Sequence, residues 1–474
     1  MLRDAARAKV VASRLRGAYA KSAMSRWLIS RLARHSQELF RLAAPVAVSR
    51  AGVLMLTTVD IAMLGRYSAD AVGYYTLGTS PFIILLVIGI GLMQGVLVAT
   101  AHHRGAERWA ETGQVWRRGL PYAVLIGAIG FALTTQGAPY FALTGQAPAL
   151  IEASASVTFW QGVGLIPMML YITTAFFLEG IGRPGPVWIA IWTANLINLP
   201  LNWWLIYGGF GVEALGADGA AIATTIARVF MAAALLVYVW RLKDHAALGV
   251  RTRPQPGWLR GGRGDRRYGY AAGLSLGFET GAFGVMALFA GWMGPQALAV
   301  YGVGNALLAM LFMIALGLAT ATGVRVGIAH GRGDGPDRAL AGWTGLGWCL
   351  LAMGLFGVLL NLVPGEVASL YTDEPFLAVA ATPAIMLVGW LLIADGGQVV
   401  LANALRAAAD PWVPTAMAFF SYFVVMIPAG WWLGVHLGRG PEGLYEGILI
   451  ASFINVTILG LRWTWRSVQR VQPA

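Results

Sequence analysis

The chain is poor in charged residues and almost free of cysteine. Only 12% of its 474 residues are Asp, Glu, Lys or Arg, whereas a soluble globular protein carries about a quarter. With so few charges, most of the surface has to face lipid, which excludes an ordinary soluble enzyme. The single cysteine, Cys349, excludes an intramolecular disulfide and a cysteine metal cluster. We expect it to be a small apolar residue within a membrane span.

Long apolar runs are abundant instead. Hydrophobic residues make up 57% of the chain and the mean hydropathy is +0.64. Because about 20 apolar residues cross a bilayer as a helix, we predict an all-α integral membrane protein with twelve transmembrane helices. The expected spans are 39–65, 71–100, 118–142, 154–180, 187–210, 217–241, 268–293, 297–329, 340–363, 376–408, 411–436 and 443–466.

Two motifs occur twice at one separation. Val96–Gly105 resembles Val324–Gly333, and Pro200–Leu205 resembles Pro428–Leu433. Each pair is 228 positions apart (330 − 102 for the histidines, 428 − 200 for the prolines). This indicates a tandem duplication, a pattern typical of transporters. Because six spans per half is an even number, the halves should form two six-helix bundles related by a pseudo-twofold axis along the membrane normal, with a cleft between them.

Positive charge is concentrated in two segments. Of 34 Lys and Arg residues, eleven lie from Arg3 to Arg50 and eight from Arg241 to Arg267. Since basic loops stay in the cytoplasm, we expect both termini on the cytoplasmic side of the inner membrane, and no nucleic-acid partner. The predicted division is a basic cytoplasmic tail 1–37, an N-terminal bundle 38–241, a cytoplasmic linker 242–267, a C-terminal bundle 268–466 and a tail 467–474.

The basic tail has two interpretations. Its spaced apolar residues between Ala5 and Arg34 suit a helix lying on the anionic inner leaflet, in contact with membrane lipid. A disordered basic tail fits the composition equally well. We expect the whole chain to act as a monomer.

Three carboxylates fall well inside the predicted spans: Asp60, Glu279 and Asp395. An ionised carboxylate in hydrocarbon costs a few kcal/mol, so such residues usually face a cavity and bind a cation or a proton. The alternative is a structural ion pair. The intramembrane cations available for one are Arg228, together with two that we expect to reach the membrane surface, Arg50 and Arg325.

Uncharged oxygens accompany Asp60 in the first half. Asn198 and Asn202 are one helical turn apart and share a face, and Thr224 lies in a run of small residues. They either complete a polar site or only hydrogen-bond between helices. His102 and His330, near the ends of spans, are expected to be structural. Since no P-loop, CxxC pair or His-Glu-x-x-His is present, we expect no cofactor and an ion gradient as the energy source.

Several motifs in order resemble the multidrug and toxic compound extrusion (MATE) transporters, specifically the NorM-like branch. They are Gly182-Arg-Pro184, Asn198-Leu-Pro-Leu-Asn202-Trp203, Leu215-Gly-Ala-Asp-Gly-Ala-Ala-Ile-Ala-Thr224, Val324-Arg-Val-Gly327 and Asp395-Gly-Gly-Gln398. The resemblance implies that Glu279 and Asp395 bind the coupling cation, H⁺ or Na⁺, with no other metal. It also implies that Asp60, Asn198, Asn202 and Thr224 form a first-half site. Departures from the family pattern occur at Ala271, Val300-Tyr301, Asn403, Ala407 and Asn202.

The resemblance and the buried acids together predict a cation-coupled antiporter, not an enzyme. It would export amphipathic, cationic organic compounds by alternating access. Tyr301, Trp390 and Asn403 are candidate substrate-cleft residues, the two aromatic rings by cation–π contact. The main alternative is an exporter or flippase of a specific metabolite or lipid-linked precursor on the same fold. A membrane enzyme and a passive channel are the other classes.

Overall fold

The computed structural model describes residues 2–209, 211–252, 260–372 and 374–469. Within them all regular structure is helical, apart from one bridge between Gly209 and Val212. The helices of the first half are α1 (Leu2–Tyr67), α2 (Ala69–Gly105), α3 (Trp109–Thr134), α4 (Gly137–Leu143), α5 (Pro148–Val163), α6 (Leu165–Gly180), α7 (Gly185–Tyr207) and α8 (Gly216–Trp240).

The second half repeats this order. Its helices are α9 (Arg263–Trp292), α10 (Pro295–Gly331), α11 (Gly335–Leu362), α12 (Pro364–Ser369), α13 (Pro375–Ala407), α14 (Trp412–Phe419), α15 (Ile427–Gly430) and α16 (Gly440–Val468). A 3₁₀ turn, Arg260–Gly262, precedes α9. Two π-helical segments, Phe420–Met426 and Trp431–His436, flank α15.

The helices account for the twelve predicted spans. Ten helical stretches in the described residues are long and apolar enough to cross a membrane, and the bent pair α3 and α4, with 54° between them, makes an eleventh. The twelfth is α7, which has 23 residues and packs between α1 and α8. The fold class predicted from the sequence is confirmed.

Local sequence signals set several helix ends. The Ser68 side chain accepts a hydrogen bond from the Ala71 backbone N–H at 3.1 Å and caps α2. Asp334 caps α11 in the same way through Asp337 N–H at 2.9 Å. Prolines Pro148 and Pro375 start α5 and α13, where their missing N–H is not needed.

Each half has its own apolar core, so the molecule is two bundles. Met169 and Phe177 are fully packed in the first core, and Leu392 and Trp463 in the second. The pseudo-twofold axis passes near the ends of α2 and α10, because the repeat-related rings of His102 and His330 lie 4.9 Å apart. Equivalent residues of two symmetric units touch only close to their axis.

The bundles meet at one end of the molecule, which we call the arginine-rich end. A Cβ at Gly91 in α2 would lie 2.5 Å from the Cα of Gly273 in α9, and one at Gly105 would lie 2.0 Å from the carbonyl oxygen of Ile328 in α10. Only glycine permits such close approach of two backbones. The arginine-rich end is defined by Arg104, Arg183, Arg332, Arg338 and Arg466.

Towards the other end the bundles diverge. Gly78 of α2 packs against Val157 of its own bundle, and Gly304 of α10 packs against Tyr445 of its own. A cleft therefore opens away from the arginine-rich end.

The structure describes parts of the segments at the boundaries of the bundles. α1 is helical from Leu2, so no break in the backbone separates the predicted tail from the first span. In the linker, Arg183 binds Asp244 through two hydrogen bonds of 2.9 and 2.6 Å. The hydrogen bond from the Arg183 guanidinium lowers the pKa of Asp244. Linker residues 253–259 and tail residues 470–474 lie outside the described part of the chain.

Candidate functional site: two buried acid clusters

Asp60 is fully buried in the N-terminal bundle, where three neutral side chains donate to it. Tyr75 and Thr224 donate their hydroxyl protons to Oδ2 at 2.5 and 2.6 Å. The Asn202 amide donates to Oδ1 at 2.6 Å. The donors come from α2, α7 and α8, so the carboxylate of α1 joins four helices. A set of three donors satisfies an ionised carboxylate.

A second layer of amides orients those donors. Gln161 Nε2 donates to the Tyr75 hydroxyl at 3.1 Å, and Asn198 Nδ2 donates to the Thr224 hydroxyl at 3.3 Å. Each hydroxyl is occupied as an acceptor, so its own proton points at Asp60. The structure thus brings together Asp60, Asn198, Asn202 and Thr224, as the sequence predicted, and closes them off from solvent.

Glu279 and Asp395 share an open cavity in the C-terminal bundle. The cavity has a volume of about 180 Å³ and lies mainly between α9 and α10, the helices that border the cleft. Two carboxylates and two phenyl rings in one wall suit an amphipathic cation. The lining residues are Glu279, Thr280, Phe283, Asn305, Leu308, Ala309, Phe312 and Asp395.

Amide and phenol side chains form a hydrogen-bond network next to the acid pair. The Gln398 amide donates to Asp395 Oδ1 and, at 2.7 Å, to the Tyr422 hydroxyl. Asn455 Nδ2 in turn donates to Gln398 Oε1 at 2.7 Å. The Tyr422 hydroxyl also lies close to the Glu279 carboxylate. Tyr422 lies in the first π-helical segment, a local geometry often found at functional sites.

Comparisons with known proteins show the family of this chain. The MatE family model matches residues 45–204 and 271–432, more than half of the chain. A probable multidrug resistance protein NorM of Caulobacter vibrioides is 37% identical over 444 residues, covering 92% of this chain and 93% of that protein. The chain belongs to the MATE family.

Other MATE proteins extend the likeness. The multidrug resistance protein NorM of Burkholderia vietnamiensis is 29% identical over 92% of this chain and 94% of its own length. The crystal structure of a eukaryotic MATE transporter superposes with a TM-score of 0.84 at 18% identity, covering 92% of this chain and 98% of that one. An outward-facing MATE family transporter gives a TM-score of 0.81 at 18% identity, covering 91% and 96%. This MATE protein is a multi-pass membrane transporter, not an enzyme.

In this MATE protein the buried acids have no fixed basic partner. Among the described residues, no Lys or Arg nitrogen lies within 4.0 Å of Asp60, Glu279 or Asp395. Arg228 is buried, stacks at 4.4 Å on the Phe82 ring and donates to a backbone carbonyl. None of the three acids is therefore held in a direct ion pair among the described residues.

One sequence-based expectation about the arginines is wrong. Arg50 does not extend towards solvent, because it pairs at 3.4 Å with Glu179, whose side chain is 1% exposed. Arg325 pairs at 2.5 Å with Glu38, whose side chain is 53% exposed, so the expectation that Arg325 reaches the surface stays a prediction. Glu179 is a fourth buried carboxylate, which the sequence analysis did not single out because it lies one residue from the end of the predicted span 154–180. Burying Arg50 and Glu179 as an ion pair costs less free energy than burying each charge alone.

We predict that Glu179→Gln lowers the free energy of unfolding by about 3 kcal/mol, because it leaves the Arg50 guanidinium buried without a counter-charge. The melting temperature in detergent should fall accordingly, whereas the exposed acid Glu107 can be changed to Gln with little effect. Adding Arg50→Gln should recover part of the loss. A Glu179→Gln protein that melts like the wild type would show that the pair is not stabilising.

The three candidate substrate residues do not line the cavity. Tyr301 is 4% exposed, stacks on Tyr445 and donates to a backbone carbonyl, so it belongs to the bundle core and this prediction is corrected. Asn403 is also buried and bonds its own helix through the Val399 carbonyl at 2.9 Å. Trp390 is exposed, but five residues before Asp395 it points about 140° away around the helix.

The sequence analysis missed most of the C-terminal network. Phe283 and Phe312 supply the aromatic wall that had been assigned to Tyr301 and Trp390. Gln398 could have been found, since it follows Asp395 by one helical turn and shares its face. Tyr422 carries no such signal, because a π-helical segment changes which residues face inwards. Asn455 lies in α16 and meets Gln398 only through the packing of two separate helices.

Proposed function

We propose that this MATE transporter is a cation-coupled antiporter that exports amphipathic, cationic organic compounds across the inner membrane. Both NorM relatives carry names that refer to multidrug resistance. The proposal rests above all on one observation: Glu279 and Asp395 share an open cavity with phenyl rings in its wall, and no basic residue of the described part of the chain is in ion-pair contact with them.

This arrangement makes cargo and coupling ion compete. Two carboxylates in one desolvated cavity repel each other, so a proton, a Na⁺ ion or a cationic compound relieves the repulsion when it binds. Once one of them is bound, half of the negative charge that attracts the next is cancelled and part of the cavity is occupied. Binding of the coupling ion from outside thus favours release of the compound, and binding of the compound from inside favours release of the ion.

The distribution of arginines supports one orientation of the protein in the membrane. We place the arginine-rich end in the cytoplasm, because positive loops are retained there. The cleft and the cavity then face the outside, and the two bundles would have to rock about their contact to expose the cavity to the cytoplasm.

Asp60 has a different place in the proposed cycle. Its network is closed in this conformation, so it does not compete for ions from the cleft here. We assign it a second cation or proton site that becomes accessible only when α1, α2, α7 and α8 shift against one another. The exchange that drives export is assigned to Glu279 and Asp395.

The proposal is tested by ethidium transport in proteoliposomes under a pH gradient and a Na⁺ gradient imposed separately. We expect at least one gradient to drive ethidium uphill, and collapse of that gradient to stop it. A passive channel would equilibrate ethidium at the same rate in every condition. Absence of ethidium movement, with altered envelope chemistry in cells that lack the protein, would instead favour export of a specific metabolite or lipid-linked precursor.

A further inference from the structure

The stretch 34–40 of α1, although it leads into the N-terminal bundle, is docked on the C-terminal bundle. Ser36 accepts a hydrogen bond from Trp348 Nε1 of α11 at 2.9 Å, and the Phe40 ring packs edge-on against the same indole at 4.9 Å. These contacts lie at the arginine-rich end, where the bundles meet. Polar bonds between the bundles at this point have to break whenever the bundles part there.

His35 is at the centre of this contact. Its side chain is fully buried, and Arg325 of α10 donates to its Nδ1 at 2.6 Å. Arginine has no acceptor, so Nδ1 carries no proton and the ring proton is on Nε2. That Nε2–H donates to Asp337 of α11 at 2.9 Å. A neutral imidazole thus bridges a guanidinium and a carboxylate that belong to the other bundle.

Each helix that packs around His35 contributes charged groups. On α1, Arg34 reaches Asp337 at 3.2 Å, and Glu38 reaches Arg325 at 2.5 Å. From α11 and the loop before it, Arg332 pairs with Asp337 at 2.6 Å and with Asp334 at 3.7 Å. From α2, Arg104 interacts with Glu38 electrostatically.

The duplication supplies no second copy of this network. The positions that correspond to His35, Arg325 and Asp337 at the 228-residue offset are Arg263, Leu97 and Trp109. On that side of the pseudo-twofold axis, α2 and α9 meet through glycine, as at Gly91 and Gly273. The seam between α1 and α10 is also closely packed, since a Cβ at Gly317 would lie 2.8 Å from the Ala43 carbonyl oxygen, but it adds the directional polar bonds of His35.

We propose that His35, Arg325 and Asp337 form a latch that holds the cytoplasmic side of the transporter closed, and that protonation of His35 releases it. A protonated imidazole has no acceptor for Arg325 and places a second positive charge against the guanidinium. Cytoplasmic acid would then shift the population towards the inward-open state. The inference rests on the proposed rocking of the bundles and on the cytoplasmic placement of the arginine-rich end.

One substitution at His35 removes its titration while keeping its hydrogen bonds. In His35→Gln, the amide oxygen can accept from Arg325 and the amide nitrogen can donate to Asp337, as the neutral imidazole does, but glutamine does not titrate. Asp337→Asn is the opposite case, because it removes the charge that Arg34 and Arg332 share. Arg41→Gln is the matched control: it changes an exposed cation on the same helix that takes no part in the latch.

The test is double electron–electron resonance spectroscopy on the full chain. One spin label is placed on each bundle, at the end opposite the arginine-rich end. Leu143 and Leu370 are 89% and 82% exposed there, and Cys349, the only cysteine, is replaced by Ala. We expect acidification from pH 8 to 5.5 to increase the short-distance, inward-open fraction of the wild type about fivefold. Arg41→Gln should respond in the same way.

The variants decide the outcome. His35→Gln should stay outward-open at both pH values, and Asp337→Asn should show the raised short-distance fraction already at pH 8. The latch is wrong if His35→Gln responds to pH like the wild type, or if Asp337→Asn matches the wild type at pH 8. Ethidium transport is measured in parallel: gradient-driven efflux with unresponsive distances refutes the latch alone, whereas wild-type protein without gradient-driven efflux refutes the proposed antiport.

Discussion

Asp395→Asn should reduce gradient-driven ethidium efflux at least about 100-fold, the effect of losing a charged interaction of about 3 kcal/mol. Asparagine keeps the shape of the side chain and an oxygen that can accept from Gln398, so the bundle should stay folded. What disappears is the charge for which the coupling ion and the cargo compete. Proteoliposomes with equal amounts of reconstituted protein measure the effect.

The controls for Asp395→Asn are close at hand. Asp70→Asn changes an exposed acid in the first turn of α2 and should transport normally. Glu279→Gln should also be severely impaired, because it removes the other charge of the same cavity. Wild-type efflux by Asp395→Asn would refute the assignment of the exchange site, while a shift in its melting temperature would point to misfolding as the cause.

Asp60→Asn, unlike Asp395→Asn, should mainly lower the stability of the fold. The new amide would point its NH₂ group either at Tyr75 and Thr224 or, in the flipped orientation, at the Asn202 amide, all of which already donate to this side chain. At least one donor is then buried without an acceptor, and we expect a loss of about 3 kcal/mol in the free energy of unfolding. Thermal melting in detergent, monitored by tryptophan fluorescence, measures it.

A graded variant checks this reasoning. Thr224→Val removes one of three donors to Asp60 without adding another, so it should lose only about 1 kcal/mol. Ethidium binding at the C-terminal cavity should survive in both variants, since that cavity lies in the other bundle. Equal melting temperatures for wild type and Asp60→Asn would contradict the hydrogen-bond network.

Sequence patterns predict this fold well because hydropathy and duplication are long-range signals. The common offset of His102 and His330 anticipates their contact at the pseudo-twofold axis. Asp60 with Asn198, Asn202 and Thr224 was predictable because an acid inside a span needs polar neighbours. Bends such as that between α3 and α4 leave no comparable trace in hydropathy.

Side-chain contacts between helices that are far apart in the sequence are harder to predict. Nothing local in the sequence shows that Arg50 meets Glu179 or that His35 reaches Asp337 across the bundle boundary. The position of Tyr301 was mispredicted because an aromatic residue in a span near a cleft is equally suited to the core. Its stacking on Tyr445 depends on how α10 and α16 pack.

The central claim is that cargo and coupling ion exclude each other at Glu279 and Asp395. Ethidium affinity of the purified protein, measured by fluorescence across a series of pH values and of Na⁺ concentrations, tests it most directly. We expect affinity to fall about tenfold for each tenfold rise in the competing cation over the range in which that cation binds, and Asp395→Asn to lose this dependence. An ethidium affinity that is the same at every pH and every Na⁺ concentration would contradict the account.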